Sequence, residues 1–129
     1  MIDAPEALTS RVIGLAIEVH RALGPGLLES AYEECLCFEL TSHNIRFRRQ
    51  VALPVVYKSV RLDCAYRMDI VIGDVLIAEI KTVERILPVH EAQLLTYLRL
   101  SGTTTGLILN FHAPVLKDGI KRLVLGHSQ

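Results

Sequence analysis

Arg67-Met68-Asp69-Ile70-Val71-Ile72-Gly73-Asp74-Val75-Leu76-Ile77-Ala78-Glu79-Ile80-Lys81 is the stretch on which the fold turns. Residues 75–78 are apolar enough for a central, buried strand. Gly73-Asp74 reads as the centre of a hairpin connection, with a preceding strand that carries Asp69. Glu79 and Lys81 follow at the end of the central strand, two residues apart and therefore on one face of the sheet. Register decides whether Asp69 joins them. A two-residue loop pairs Ile72 with Val75 and Asp69 with Ala78, which sends Glu79 to the opposite face. A three-residue loop, or a bulge, pairs Asp69 with Glu79 directly. An active site requires the odd loop or the bulge. In that register Asp69, Glu79 and Lys81 share a face, while Ile70, Ile72, Leu76, Ala78 and Ile80 fill the other.

Outward from this hairpin the chain divides into alternating and helical patterns. Residues 46–57 alternate loosely, with Pro54 marking an edge strand or a bulge. Lys58-Ser59 reads as a turn, residues 60–72 as a second strand and 75–81 as a third. Upstream, Leu8, Val12, Leu15, Ala16, Val19 and Leu23 form a helical stripe over 4–23, stopped by Gly24-Pro25-Gly26. A second helix over 27–42 carries a broad apolar face from Leu28 to Leu40, with Glu29, Glu33 and Glu34 in its first two turns, where acids suit the helix dipole. Downstream, 88–100 predicts a third helix that buries Leu94, Leu95 and Leu98, with Pro88 in its first turn. Strands over 104–111 and 120–125 flank the turn residues Lys117-Asp118-Gly119. The order α-α-β-β-β-α-β-β, without repeats or linkers, predicts one domain over 1–129: an α/β sandwich on a mixed sheet flanked by helices.

Composition narrows the function classes. Of 129 residues, 50% are hydrophobic, and Lys+Arg 14 balance Asp+Glu 14. Such a chain has enough apolar surface to fold, which excludes disorder. The longest apolar run, 70–78, is broken by Asp74 and falls far short of the roughly 20 residues of a membrane span. The first residues lack a basic stretch leading into an apolar one, so a cytoplasmic location is expected. Cys35 and Cys37, two apart in a helix, point in different directions and cannot share a metal; with Cys64 they read as reduced thiols. Zero net charge argues against a broadly basic nucleic-acid surface, so contact with a polyanion has to be local. A homodimer would enlarge such a patch and is expected on that ground.

Several polar groups are candidates for chemistry. Two carboxylates and a lysine at a strand end are what metal-assisted phosphodiester hydrolysis needs: hard oxygen ligands for Mg²⁺ or Mn²⁺, and a cation to steady developing charge. The same Glu-x-Lys also describes a surface ion pair. His90, Gln93 and Tyr97 stand at i, i+3 and i+7, on a helix face opposite Leu95 and Leu98, placed to contact a nucleic acid or else on a polar side that meets solvent with Tyr97 partly packed. Glu29 and Glu33, one turn apart, project together either as paired carboxylates or as a solvated helix start. Arg46 and Arg48 share one face of the first strand and Arg49 takes the other; they form a phosphate-contacting edge or the charged edge that prevents aggregation. His20, His43, His112 and His127 show no metal-ligand spacing.

Gly26-Leu27-Leu28-Glu29-Ser30-Ala31-Tyr32 resembles the signature of the bacterial GxxExxY proteins, assigned to the PD-(D/E)XK nucleases. The resemblance extends through 17–26, Arg67-Met68-Asp69, Ala78-Glu79-Ile80-Lys81, 88–98 and 106–111, nearly the whole chain. It implies a restriction-endonuclease-like core with Asp69 as the first acid and Glu79 with Lys81 as the (D/E)xK pair. Glu29 would match the helix glutamate that completes the metal site, and Gln93 and Tyr97 the Gln-x-x-x-Tyr feature of the recombination-exonuclease branch. Met68 stands where the motif has proline. The expected activity is Mg²⁺- or Mn²⁺-dependent cleavage of nucleic acid, DNA in the first instance. Asp69, Glu79, Lys81 and Glu29 would be catalytic, with Gln93, Tyr97, His90, Arg46 and Arg48 on the nucleic acid. The alternative is an inactive nuclease fold that serves as a binding or assembly module.

Overall fold

The computed structural model describes residues 3–63 and 66–126; Cys64 and His127 lie outside them. Helices α1 (Glu6–Leu23) and α2 (Glu29–Ser42) precede strands β1 (Phe47–Ala52), β2 (Val55–Tyr57), β3 (Val60–Leu62), β4 (Arg67–Ile72) and β5 (Leu76–Lys81). Helix α3 (Pro88–Ser101), β6 (Thr105–Asn110), a 3-10 turn at Leu116–Gly119 and β7 (Ile120–Val124) complete the chain. The main sheet runs β1-β4-β5-β6-β7. Every pairing in it is antiparallel except β5 with β6, which α3 connects as a crossover. Apart from β2 and β3, this is the expected order of elements.

Helices α1 and α2 cover one face, where Val12, Ala16, Leu36 and Leu40 join Ile70, Ile72, Leu76, Ala78, Ile80, Leu107 and Leu109. On the other face α3 lays Leu94, Tyr97 and Leu98 over Val71, Ile77 and Ile108. Burial on both faces is why β5 and β6 are nearly unbroken apolar runs. The sandwich is thus three-layered around these two central strands.

Two expected strands divide. Residues 46–57 form β1 and β2, and 60–72 form β3 and β4, with residues 64–65 outside the described part. The ladder between β1 and β4 continues to Leu53, whose N–H donates to the Tyr66 carbonyl at 3.0 Å. Pro54 has no N–H to carry it further. The chain leaves the sheet there and forms a separate hairpin, with Val55 opposite Leu62 and Tyr57 opposite Val60. The helix over 88–100 also differs in detail: Tyr97 is buried with Leu94 and Leu98, and Leu95 is only partly covered.

Helix α3 sits directly on β6 at Gly106. A Cβ there would stand 2.9 Å from both terminal carbons of Leu94, itself fully buried. Gly106→Ala is therefore expected to destabilise the fold by about 1–3 kcal/mol through overpacking. Thermal unfolding should show a midpoint lowered by several degrees; an unchanged midpoint would mean that α3 shifts freely on the sheet.

Candidate active site

The β4–β5 register is Ile72↔Leu76, Val71↔Ile77 and Ile70↔Ala78. The connection is therefore three residues, 73–75, with Gly73 and Asp74 both at positive φ, and Asp69 falls opposite Glu79. Beyond Ile70↔Ala78 the two strands exchange side-chain contacts. The Asp69 N–H donates to Glu79 Oε2 at 2.8 Å, and the Ile80 N–H donates to Asp69 Oδ2 at 2.9 Å. Each carboxylate is thus fixed by the backbone of the other strand, and each oxygen keeps a further lone pair for another ligand.

The pair is electrostatically strained. Glu79 is only 4% exposed; burial, and then the Asp69 carboxylate, push its pKa up to about 8. Burial also raises Asp69, partly offset by the Ile80 N–H. Lys81 is close enough to favour the charged form of both. Its Nζ donates to Gln93 Oε1 at 3.5 Å, a long contact from β5 to α3. Asp69, Glu79, Lys81 and Gln93 therefore converge where β5 ends under the first half of α3.

The remaining expected residues have varied positions. Tyr97, one turn beyond Gln93, is 6% exposed and packs with the α3 core rather than opposite it. Burial, and then the charges of Glu79, Asp69 and Tyr66, raise its pKa. His90 is held by its own helix: Nδ1 accepts the Leu87 N–H at 2.9 Å. Arg46 and Arg48 both face Asp74, at 3.5 and 3.1 Å, at the hairpin end of the sheet. They are not brought to the carboxylates, because β1 runs antiparallel to β4 and its start lies at the opposite end.

Glu29 and Glu33 separate in role. Glu29 Oε2 accepts the Thr82 N–H at 3.1 Å, immediately after Lys81, and so anchors the exit of β5 to the start of α2. Glu33 is no solvated helix start; at 7% exposure it accepts from Arg49 Nη2 at 2.9 Å and from Gln50 Nε2 at 2.8 Å. Gln50 Nε2 also reaches Asp69 Oδ1 at 3.3 Å, which links the buried Glu33 to the site. Between them Tyr32, fully buried, donates to the Gly24 carbonyl, accepts the Leu27 N–H at 3.1 Å and stacks on Phe111 at 4.4 Å. The 26–32 segment is thus a brace: Gly26 at φ +107 turns the chain, Tyr32 locks the turn, and Glu29 reaches the strand end.

A family model of the PD-(D/E)XK nuclease superfamily matches residues 6–123. The chain belongs to the PD-(D/E)XK nuclease superfamily. No curated protein and no solved structure matches it. Nucleases of this superfamily generally use divalent metal ions and act on nucleic acid. The residues here fit such an ion in charge and hardness. Two apposed carboxylates, one buried with a raised pKa, leave negative charge that a divalent cation would neutralise, and Mg²⁺ is commonly held by one or two carboxylates plus water and phosphate. Among the described residues no group of three or more His, Cys, Asp or Glu is assembled for a metal. Glu29 accordingly stands beside the pair, on the Thr82 N–H, and not with it.

The superfamily motif did not reveal Gln50, Glu33 or Asn110. Asn110, beside Lys81 in the β5–β6 pairing, accepts the Val83 and His112 N–H groups and donates to the Val83 carbonyl at 2.8 Å. It staples the loop that carries the chain from β5 towards α3. It lies in the 106–111 stretch of the resemblance and ends the apolar run 106–109, but neither signal assigned it a role. Gln50 had none beyond its place in a strand, next to a basic run that drew attention to the arginines. No helix among the described residues is long and apolar enough to cross a membrane.

Proposed function

We propose that the protein is a small Mg²⁺- or Mn²⁺-dependent nuclease that hydrolyses phosphodiester bonds, with DNA as its substrate. The observation that carries this reading is the mutual clamping of Asp69 and Glu79, which holds two carboxylates together beside Lys81 against their own repulsion. Burying the Glu79 carboxyl beside Asp69 opposes its ionisation and gains folding nothing, so the arrangement is best explained by a ligand that needs both carboxylates.

Asp69 and Glu79 would hold the metal, which supplies Lewis-acid polarisation of the phosphate and a more acidic bound water. Lys81 stands over the same face and stabilises the charge that develops on the phosphoryl oxygens. Gln93, tethered to Lys81, orients that ammonium and offers its amide to a phosphate or base. Glu29 and the Tyr32 brace keep the exit of β5, and hence Lys81, in register. Tyr97 shapes the wall beside Glu79.

Isothermal titration of Mg²⁺ and Mn²⁺ into the wild type, Asp69→Ala and Glu79→Ala tests the site. Binding by the wild type that is lost in both variants is the expected result. Failure of the wild type to bind either ion, even with oligonucleotide present, would favour the non-catalytic scaffold, a reading that the neutral net charge also suits.

A further inference from the structure

The hairpin that leaves the sheet at Pro54 does not fold back against the core. It stands off from α3 and leaves a groove of about 530 Å³, lined by Leu53, Val55, Leu62 and Tyr66 on one side and by α3 residues including Leu100 on the other. That volume is of the class that holds ligands as large as a nucleotide. Gln93 and Tyr97 line it as well, and Lys81 donates to Gln93, so one wall of the groove borders the site of the carboxylate pair. Its apolar character continues outward: Tyr57 and Val60 follow Val55 and Leu62 on the same face of the hairpin, and both are exposed. Tyr66 is 47% exposed at the wall.

We infer that this groove takes unpaired bases of a single nucleic-acid strand, stacked on Tyr66, so that the strand's phosphate is presented to Asp69, Glu79 and Lys81. The inference rests on the nuclease reading and names the substrate class for it. A duplex keeps its bases stacked inside and turns phosphates outward; against an apolar wall it would give up hydration and gain few ion pairs. An unpaired base presents a π face, which aromatic and apolar side chains accept whatever the base. Cations are sparse but suitably placed for the flanking phosphates: Arg99 lines the groove, and Lys58 sits 5.4 Å over the Tyr57 ring at the hairpin turn. A neutral chain can bind a strand in this way because stacking replaces part of the charge. A second copy of the chain seated on the same face would close the approach to Gln93, so the strand is the better occupant.

Fluorescence anisotropy with the full chain in EDTA, which prevents cleavage, separates the cases. Short labelled DNA and RNA single strands and the matching DNA duplex are compared for the wild type, Tyr66→Ala and Tyr66→Trp. Single strands should bind about 10-fold tighter than duplex or better; whichever of DNA and RNA binds tighter names the strand. Tyr66→Ala should weaken strand binding roughly 5- to 100-fold, the range of one lost stacking contact, and leave duplex binding unchanged. Tyr66→Trp should restore it, which a merely structural role would not do. Equal binding of duplex and strand, or indifference to Tyr66→Ala, overturns the inference. So does a wild-type dimer in sedimentation that Tyr66→Ala dissociates, since the second copy would then be the occupant. Duplex cleavage that depends on Asp69 but not on Tyr66 would overturn the groove and keep the nuclease. Tyr66-dependent strand binding with no cleavage of any strand would do the reverse.

Discussion

Lys81→Ala is expected to lower the cleavage rate at saturating Mg²⁺ by roughly 100- to 1,000-fold, and Asp69→Ala to reduce it to background, with both variants folded. Lys81 lies at the last position of β5, half-covered, and its side-chain hydrogen bond is the long one to Gln93. Removing its ammonium therefore takes little from the core. What it removes is the lysine beside the two carboxylates, on the face where a bridging phosphate would sit. Lys81→Arg keeps the charge but replaces a compact ammonium with a planar fork, and should recover only part of the rate. Asp69→Ala deletes a proposed metal ligand and releases the part-buried Ile80 N–H, a loss of about 1–3 kcal/mol that leaves both hydrophobic cores intact. Single-turnover cleavage with circular dichroism on the same samples reads both quantities. Full activity in both alanine variants would remove Asp69 and Lys81 from the chemistry.

That prediction rests on residues that were legible in the sequence, and their legibility has a physical source. Strand alternation is strict, so the face shared by Glu79 and Lys81 follows from their spacing. The loop length then fixed Asp69 opposite Glu79, and only two registers were in competition. Elements whose identity depends on periodicity, such as α1, α2, β5 and β6, were equally accessible. The departure of β2 and β3 was not. Pro54 signalled an interruption, but whether a strand resumes in the same sheet depends on where its partner strand goes, and that is tertiary information. Tyr97 shows the same limit on a helix. Its aromatic ring serves equally as core or as surface, and packing with Val71, Ile77 and Ile108, alongside Leu94 and Leu98 at helical spacing, buries it. Glu33 read as a possible partner of Glu29, but its link through Gln50 to Asp69 was not legible, because that link runs across three elements far apart in sequence.

The 26–32 segment joins these two classes. Its residues read as a motif because of their spacing, yet each does something different in the fold. Gly26 turns the backbone, Glu29 contacts Thr82, and Tyr32 is a buried anchor. Of these, Glu29 alone reaches the end of β5. A motif can therefore be tied to a candidate site mainly by holding its supports, which is why Glu29 stands next to the Asp69–Glu79 pair without joining it.

Glu79→Gln is expected to stabilise the metal-free protein while abolishing its activity, and the stabilisation should grow with pH. Glu79 titrates near its ordinary value of 4.5 in the unfolded chain and at about 8 in the folded one. Between those limits the folded state binds a proton that the unfolded state has released, so this group's contribution to stability falls as pH rises through the window and levels off above it. A shift of that size corresponds to about 3–5 kcal/mol across the window. Glutamine keeps an oxygen to accept the Asp69 N–H but carries no charge for burial and Asp69 to oppose. At pH 9 its thermal midpoint should exceed that of the wild type by roughly 6 °C or more, and at pH 5 the two should nearly coincide. Mg²⁺ at pH 8 should raise the midpoint of the wild type and leave that of Glu79→Gln almost unmoved, because binding is linked to the charge that the substitution removes. Parallel stability–pH curves for the two proteins would show that Glu79 is not strained in the fold. In that event the clamp with Asp69 would be an ordinary strand contact, and the case for two anions held ready for a cation would lose its energetic basis.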